Sequence, residues 1–388
     1  MRIEQPKIEM AEIFRNHRHL LGKIPKSHHK VIQDIINCRT SVLGGHQLKC
    51  NECDYTENSY NSCRNRHCPK CQYLAKMKWV ESRLEDLLPC QYFHVVFTLP
   101  SLLNRLILQN KSVAYGILFQ SASETLKEVA ANPKNMGAEI GFIGVLHTWA
   151  QNLMDHPHIH FIVPGGGLNK EKNLWIACKN KYLLPIQILS LVFRGKFLKS
   201  IENAFDNHQL VFYGEISDLS ERINFKELLT KTSKVDWVVY SKKPFAGPEQ
   251  VIKYLSRYTH RIAISNYRLL KFEDGNVHFS YRDSADDNKT KTMILDVVEF
   301  MRRFLLHVMP EKFVRIRHFG MLGNRSRKEN LNICRKLLDV VVEKKSKIEK
   351  NWKTHLEALT SIDVDVCPKC KKGRLLKIGF FSNLLKTG

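Results

Sequence analysis

No apolar run in this chain reaches the roughly 18 residues that a membrane-spanning helix needs. The start, MRIEQPKIEMAEIF, alternates charged and apolar residues, so the uninterrupted apolar segment of a signal peptide is missing as well. Both absences speak against a secreted or membrane protein and point to the cytoplasm. Acidic residues are scarce: 38 Asp and Glu stand against 61 Lys and Arg, a formal net charge of +23. No small neutral substrate calls for that excess. It suggests a polyanionic partner, of which nucleic acid is the commonest. Internal repeats are lacking too. Apolar residues, in contrast, make up 43 % of the 388 positions, which excludes general disorder; the length suggests two or three domains.

A chain this long needs no disulfide staples, and its 11 cysteines are an odd number. Six fall between Cys38 and Cys71, and two more form a CxxC near the end. Clustered cysteine in a reducing compartment reads as metal ligation. Cys50 and Cys53 form one CxxC and Cys68 and Cys71 another, with 14 residues between them. Each such turn offers two thiolates to one ion at about 2.3 Å, and two turns close a tetrahedron. The simplest zinc set is therefore Cys50, Cys53, Cys68 and Cys71, in the manner of a zinc ribbon or treble-clef-like knuckle. Cys38, Cys63 and His67 are left over, to replace one of the four, to bind a second ion or to pack. Arg64, Arg66, Lys70 and Lys76 surround the cluster and suit contact with phosphates. Cys367 and Cys370 are half a ribbon: a second zinc pair completed from elsewhere, or a tail pair without metal.

Residues 1 to about 90 run from a basic helical start through this cluster to YLAKMKWVESRLEDLL. There Leu74, Met77, Val80, Leu84 and Leu87 recur at three- and four-residue helical steps. Residues 91–165 read as strand, helix, strand, strand. YFHVVFTL is rich in β-branched and aromatic residues and stops at Pro100; helical patterning runs from Leu102 to about Ala131; GFIGVLHTWAQ and HIHFIV are strands. Residues 166–235 are expected to hold a helical insertion. WVVYSK (237–242) is a further strand, and Gly247-Pro248 opens a helix. A hairpin turns at Asp274-Gly275, LDVVEFMRRFLLHVM is helical, and EKKSKIEK in the basic tail is a solvated helix face. Trp149 and Phe161 are expected in the core rather than stacked on bases.

DHPHIHFIVPGGG carries the most chemistry. Alternate side chains of a strand share a face, so His158, His160 and Ile162 point one way and Ile159, Phe161 and Val163 the other. Two imidazoles on a rigid strand can hold one divalent ion while the apolar face packs on helices. With nitrogen and oxygen ligands and a phosphate substrate, Mg²⁺ or Mn²⁺ is expected. A third ligand is sought nearby, among Gln151, Asp155 and His156.

In EQVIKYLSRYTHR, Tyr254 and Tyr258 stand one helical turn apart. Val251, Tyr254, Leu255 and Tyr258 also make a core-facing stripe. The neighbours Lys253, Arg257, His260 and Arg261 favour a phosphate-rich setting instead. A phenol has a pKa of about 10 and is a weak nucleophile at neutral pH. A metal that polarises the phosphoryl oxygen offsets that weakness. Attack would leave a phosphotyrosine ester and a free 3′ hydroxyl, so the strand can be rejoined without ATP.

RNRHCPKCQ, then HPHIHFIVPGGG, then YLSRYTHRIAISN, in that order, resemble the HUH-type rolling-circle transposases of the insertion-sequence ninety-one family, with their N-terminal zinc-binding domain. The likeness runs over roughly residues 10 to 375. It implies an α+β fold: an HUH-nuclease-like antiparallel sheet with helices packed on it, the histidine pair on a central strand. A small zinc-binding module (1–90) would precede the catalytic domain (91–270, with the insertion at 166–235), and a helical basic region (271–388) ending in the CxxC would follow. The resemblance implies nicking and rejoining of single-stranded DNA at transposon ends through a 5′-phosphotyrosine link. His158 and His160 fall on the metal-binding histidines, and Tyr254 and Tyr258 on the two tyrosines. Zn²⁺ would be structural and Mg²⁺ or Mn²⁺ catalytic. Partners would be transposon-end and target DNA, with no membrane and no small-molecule substrate, and the chain would associate with the nucleoid. No feature sets an oligomeric state. Two other readings compete: a plasmid rolling-circle initiator or relaxase, told apart by flanking DNA, and a non-catalytic zinc-dependent DNA-binding protein, told apart by the absence of cleavage.

Overall fold

The computed structural model describes residues 8–179, 183–242, 262–283, 286–340, 354, 357 and 363–385. The elements begin with α1 (Met10–His17), α2 (Lys26–Asn37), β1 (Gly45–Cys50), β2 (Thr56–Tyr60) and α3 (Gln72–Leu84). Next come β3 (Tyr92–Thr98), α4 (Asn104–Gln109), α5 (Lys111–Ala131), β4 (Gly141–Trp149), β5 (Asp155–Pro164), β6 (Gly166–Leu168) and β7 (Trp175–Ala177). They are followed by α6 (Ile186–Asp206), α7 (Arg222–Ser233), β8 (Val239–Lys242), β9 (Leu269–Glu273), β10 (Asn276–Asp283) and β11 (Lys289–Asp296). The last are α8 (Val297–Leu306), β12 (Ile316–Gly320), α9 (Arg327–Leu337) and β13 (Leu375–Phe381). The protein is α+β with antiparallel sheets. Residues 271–388 carry β10–β13 besides α8 and α9. Among the described residues no helix is long and apolar enough to cross a membrane.

Two compact units share the chain. One gathers Met1–Trp79, His260–Val308 and Lys344–Gly388; the other gathers Val80–Thr259 and Met309–Glu343. The segment 271–388 is divided between both units.

The second unit is built on a five-stranded antiparallel sheet in the order β12-β4-β5-β3-β8, with β5 in the middle. Strand alternation sorts its two faces. Ile159, Phe161 and Val163 of β5 join Phe93, Val95 and Phe97 of β3 and Phe142 and Leu146 of β4 in the main core. α5 and α6 cover that face with Tyr115, Leu118, Phe119, Phe193 and Phe197. Phe161 meets Phe142 and Phe97 edge to face at ring centroid distances of 5.2 and 5.7 Å. Trp149 and Phe161 are buried, 7 % and 0 % exposed, as core residues are. The helix expected from Leu102 to Ala131 is broken at Asn110, which leaves helical geometry with ψ at 35°. Its buried side chain bridges to another segment, accepting from the Val211 N–H at 2.8 Å and donating to the Val211 carbonyl at 2.9 Å. The segment read as a helical insertion carries α6 and α7.

The first unit packs α1, α2 and α8 through their apolar faces, with Phe14 on Phe304 at 5.6 Å between centroids. The Asp296 side chain caps α8, accepting from the N–H groups of Val298 and Glu299 at 2.8 and 3.3 Å. β9 and β10 form the expected hairpin. Asp274 and Gly275 have φ of 48° and 76°, the pair of positive values that a type I′ turn requires. A separate three-stranded sheet in the order β13-β1-β2 lays the late strand β13 antiparallel on β1.

Candidate active site

Because Ile159 and Phe161 fill the core face of β5, His158 and His160 stand on the opposite face. Directly paired residues of antiparallel strands share a face. His147 of β4 lies opposite His158, and His94 of β3 lies opposite Ile162, so all four imidazoles rise from one side of the sheet. One ring nitrogen from each of His147, His158 and His160 lies within 4.8 Å of the others. The Nε2 atoms of His158 and His160 are 3.0 Å apart. Nδ1 of His158 is 2.6 Å from the His156 carbonyl, which only accepts, so Nδ1 carries the proton and Nε2 presents its lone pair. Nδ1 of His160 is 2.8 Å from Nε2 of His94. Burial, aided by Lys242, pushes His94 down to about 4, so this ring is neutral at pH 7. His147 stacks on Trp149 with 4.9 Å between centroids.

None of the third ligands sought in the sequence joins this group; His147 does. Asp155 has the opposite strand parity and faces α5. Burial pushes its carboxyl up to about 7 against the opposing pull of Lys111, and burial pushes the Lys111 ammonium down to about 8. His156 is exposed and offers its backbone carbonyl, and Gln151 sits in the turn after β4. The signal for His147 was the short connection between two predicted strands, which implies a hairpin with His147 near the pair. Its register stayed hidden because the pairing shifts between His147 and Trp149. Tyr254 and Tyr258, with Lys253, Arg257, His260 and Arg261, lie outside the described residues.

Eight of the 11 cysteines fall into two groups of four. Cys38, Cys63, Cys68 and Cys71 form one, and Cys50, Cys53, Cys367 and Cys370 the other. The two early CxxC pairs therefore do not converge on one point, as their spacing had suggested. Cys38 and Cys63 complete the first group, where the Sγ of Cys71 lies 3.3 Å from that of Cys38 and 3.5 Å from that of Cys63. His67 belongs to neither group; its backbone N–H donates to Asn65 Oδ1 at 2.9 Å. Arg64 is exposed and Arg66 half-buried, and Lys70 pairs with Glu9 at 2.5 Å.

Comparison with known proteins adds the family. A model described as "Transposase zinc-binding domain" matches residues 9–99, which include the whole first cysteine group. A model described as "Putative transposase" matches residues 141–330, which include His147, His158 and His160. The protein named "Putative transposase y4qJ" from Sinorhizobium fredii is 46 % identical over 382 residues, covering 97 % of this chain and 96 % of that protein. The "Transposase for insertion sequence element IS801" from Pseudomonas savastanoi pv. phaseolicola is 27 % identical over 312 residues, 76 % of this chain and 70 % of that protein. No solved structure matches. The likeness to the first relative spans nearly the full length of both chains, and with both family models it makes this chain a member of the IS91 family of transposases, with an N-terminal zinc-binding domain and a role in DNA transposition.

Proposed function

We propose that this transposase cuts and rejoins single-stranded DNA at the ends of its element through a tyrosine joined to a 5′ phosphate. The convergence of His147, His158 and His160 on one face of the central sheet carries this reading. Tyr254 and Tyr258 follow β8 of the same sheet in the chain and are the nucleophiles in this reading. Lys253, Arg257, His260 and Arg261 would hold the strand by its phosphates. The phenol oxygen attacks phosphorus and the bond to the 3′ oxygen breaks. That oxygen leaves and takes up a proton, while the phenol proton passes to water. The new ester keeps the bond energy, so a 3′ hydroxyl can reverse the step.

The three imidazoles suit a divalent ion. Two nitrogens about 2.1 Å from a common ion at a right angle stand about 3.0 Å apart, which agrees with His158 and His160. When bound, the ion supplies positive charge to the phosphoryl and leaving oxygens. A set of nitrogen donors alone favours a transition ion such as Mn²⁺ over Mg²⁺. Cys38, Cys63, Cys68 and Cys71 suit structural Zn²⁺ in the zinc-binding domain.

The test is a labelled single-stranded oligonucleotide carrying an element end. Wild-type protein should form a covalent adduct at lower Mn²⁺ than Mg²⁺ concentration. Tyr254→Phe with Tyr258→Phe should abolish it, and His158→Ala should lose nicking but keep DNA affinity. An adduct at wild-type yield from the double tyrosine variant would sink the assignment.

A further inference from the structure

Outside the catalytic face, the second cysteine group joins segments that lie far apart in the chain. We propose that Cys50, Cys53, Cys367 and Cys370 hold a zinc ion of their own, so that the late CxxC closes a site begun in the zinc-binding domain. This site is independent of the nuclease reading.

The sulfur geometry is that of a tetrahedral ion. Sγ of Cys50 is 3.7 Å from that of Cys370, and Sγ of Cys53 is 3.7 Å from that of Cys367. Four sulfurs about 2.3 Å from a central zinc stand about 3.8 Å apart. A disulfide would need about 2.05 Å. All four are free thiols. Backbone donors are aimed at the sulfurs: the Glu52 N–H lies 3.4 Å from Cys50 Sγ and the Gly373 N–H 3.3 Å from Cys370 Sγ. Such donors stabilise thiolate over thiol.

Both knuckles are fixed by the surrounding backbone. Cys50 pairs with Leu375 at the end of the β1–β13 ladder, and the Arg374 N–H donates to Asn51 Oδ1 at 2.6 Å. The Cys367 N–H donates to the Gly373 carbonyl at 2.8 Å. At Gly373 a Cβ would stand 2.5 Å from Cys50 Sγ, so the turn needs glycine for the sulfurs to meet. Among the described residues, the apolar cluster here has only Cys50, Cys367 and Leu375 as its buried members. So small a core gives the β13 attachment little hydrophobic support, and a metal crosslink supplies the missing constraint. Four thiolates in a tetrahedron select Zn²⁺ among resident divalent ions, with iron the other candidate for such a set. The matched zinc-binding model ends at residue 99 and so contains only half of this site.

The test uses the full chain as purified. Metal analysis should find two zinc ions per chain, one for each cysteine group, and no iron. Zinc is then withdrawn stepwise with a chelator while exposed thiols are alkylated and mapped by mass spectrometry. Cys367 and Cys370 should be protected at the start and become reactive in the same step as Cys50 and Cys53, separately from Cys68 and Cys71. The Cys367→Ser/Cys370→Ser variant should lose one zinc and expose Cys50 and Cys53 alone. Alkylation of Cys367 and Cys370 in the zinc-loaded wild type, iron in place of zinc, one zinc per chain, or release of Cys50 together with Cys68 would each overturn the proposal. The alkylation order is read on wild-type protein, so the outcome does not depend on the variant folding.

Discussion

His160 has two ring nitrogens, and only Nε2 faces His158. For that nitrogen to present a lone pair, the proton must sit on Nδ1, whose partner is Nε2 of His94 at 2.8 Å. His94 then accepts, and it acts as a positioning residue for His160. His158 is held in the same tautomer by a backbone carbonyl, which no substitution removes. The His94–His160 link can be cut. His94→Ala should weaken Mn²⁺ binding by about 10- to 100-fold, the usual cost of losing a partner behind a metal-binding histidine. His94→Gln, which keeps an acceptor oxygen, should recover part of it. Electron paramagnetic resonance titration of the DNA-free protein reads this directly, and unchanged affinity in His94→Ala would remove His94 from the site.

At the scale of an element, β4 sets how closely β5 can approach it. Gly144 pairs with Phe161, and a Cβ at Gly144 would stand 2.6 Å from Phe161 Cε1 and 3.3 Å from Phe119 Cε1. The phenyl ring is fully buried, with Phe97 and Phe142 packed edge to face against it. Gly144→Ala should therefore destabilise the protein by about 1–3 kcal/mol through overpacking. Urea unfolding should show a lower midpoint at an unchanged slope. A wild-type midpoint would mean that Phe161 can move freely. His160 immediately precedes Phe161 in the chain, so the same substitution should also blunt metal binding.

For the whole molecule the dominant quantity is the net charge of +23. A transposase with that excess should bind single-stranded DNA with a strong salt dependence, because each neutralised phosphate releases counterions. For a footprint of about four phosphates, affinity should fall about 50-fold between about 50 and 200 mM salt. Fluorescence anisotropy with an unstructured oligonucleotide measures this, and a flat response would show that the positive charge is not directed at phosphates.

The sequence by itself determined the parts that depend on neighbours a few residues away. The two-residue repeat of β5 separates His158 and His160 from Ile159 and Phe161, and Asp274-Gly275 accepts the positive φ of its turn. The aromatic and β-branched run of β3 is equally local, as is the apolar stripe of α8. Only the tertiary structure decided which of these pieces meet. His94 reaches His160 because β3 lies beside β5, and Cys50 reaches Cys370 across 320 positions because β13 lies on β1. The break at Asn110 likewise needed a partner from Val211. Periodicity follows from bond geometry repeated along the chain. Strand pairing and register follow from burial and hydrogen bonding between segments whose separation no local pattern records.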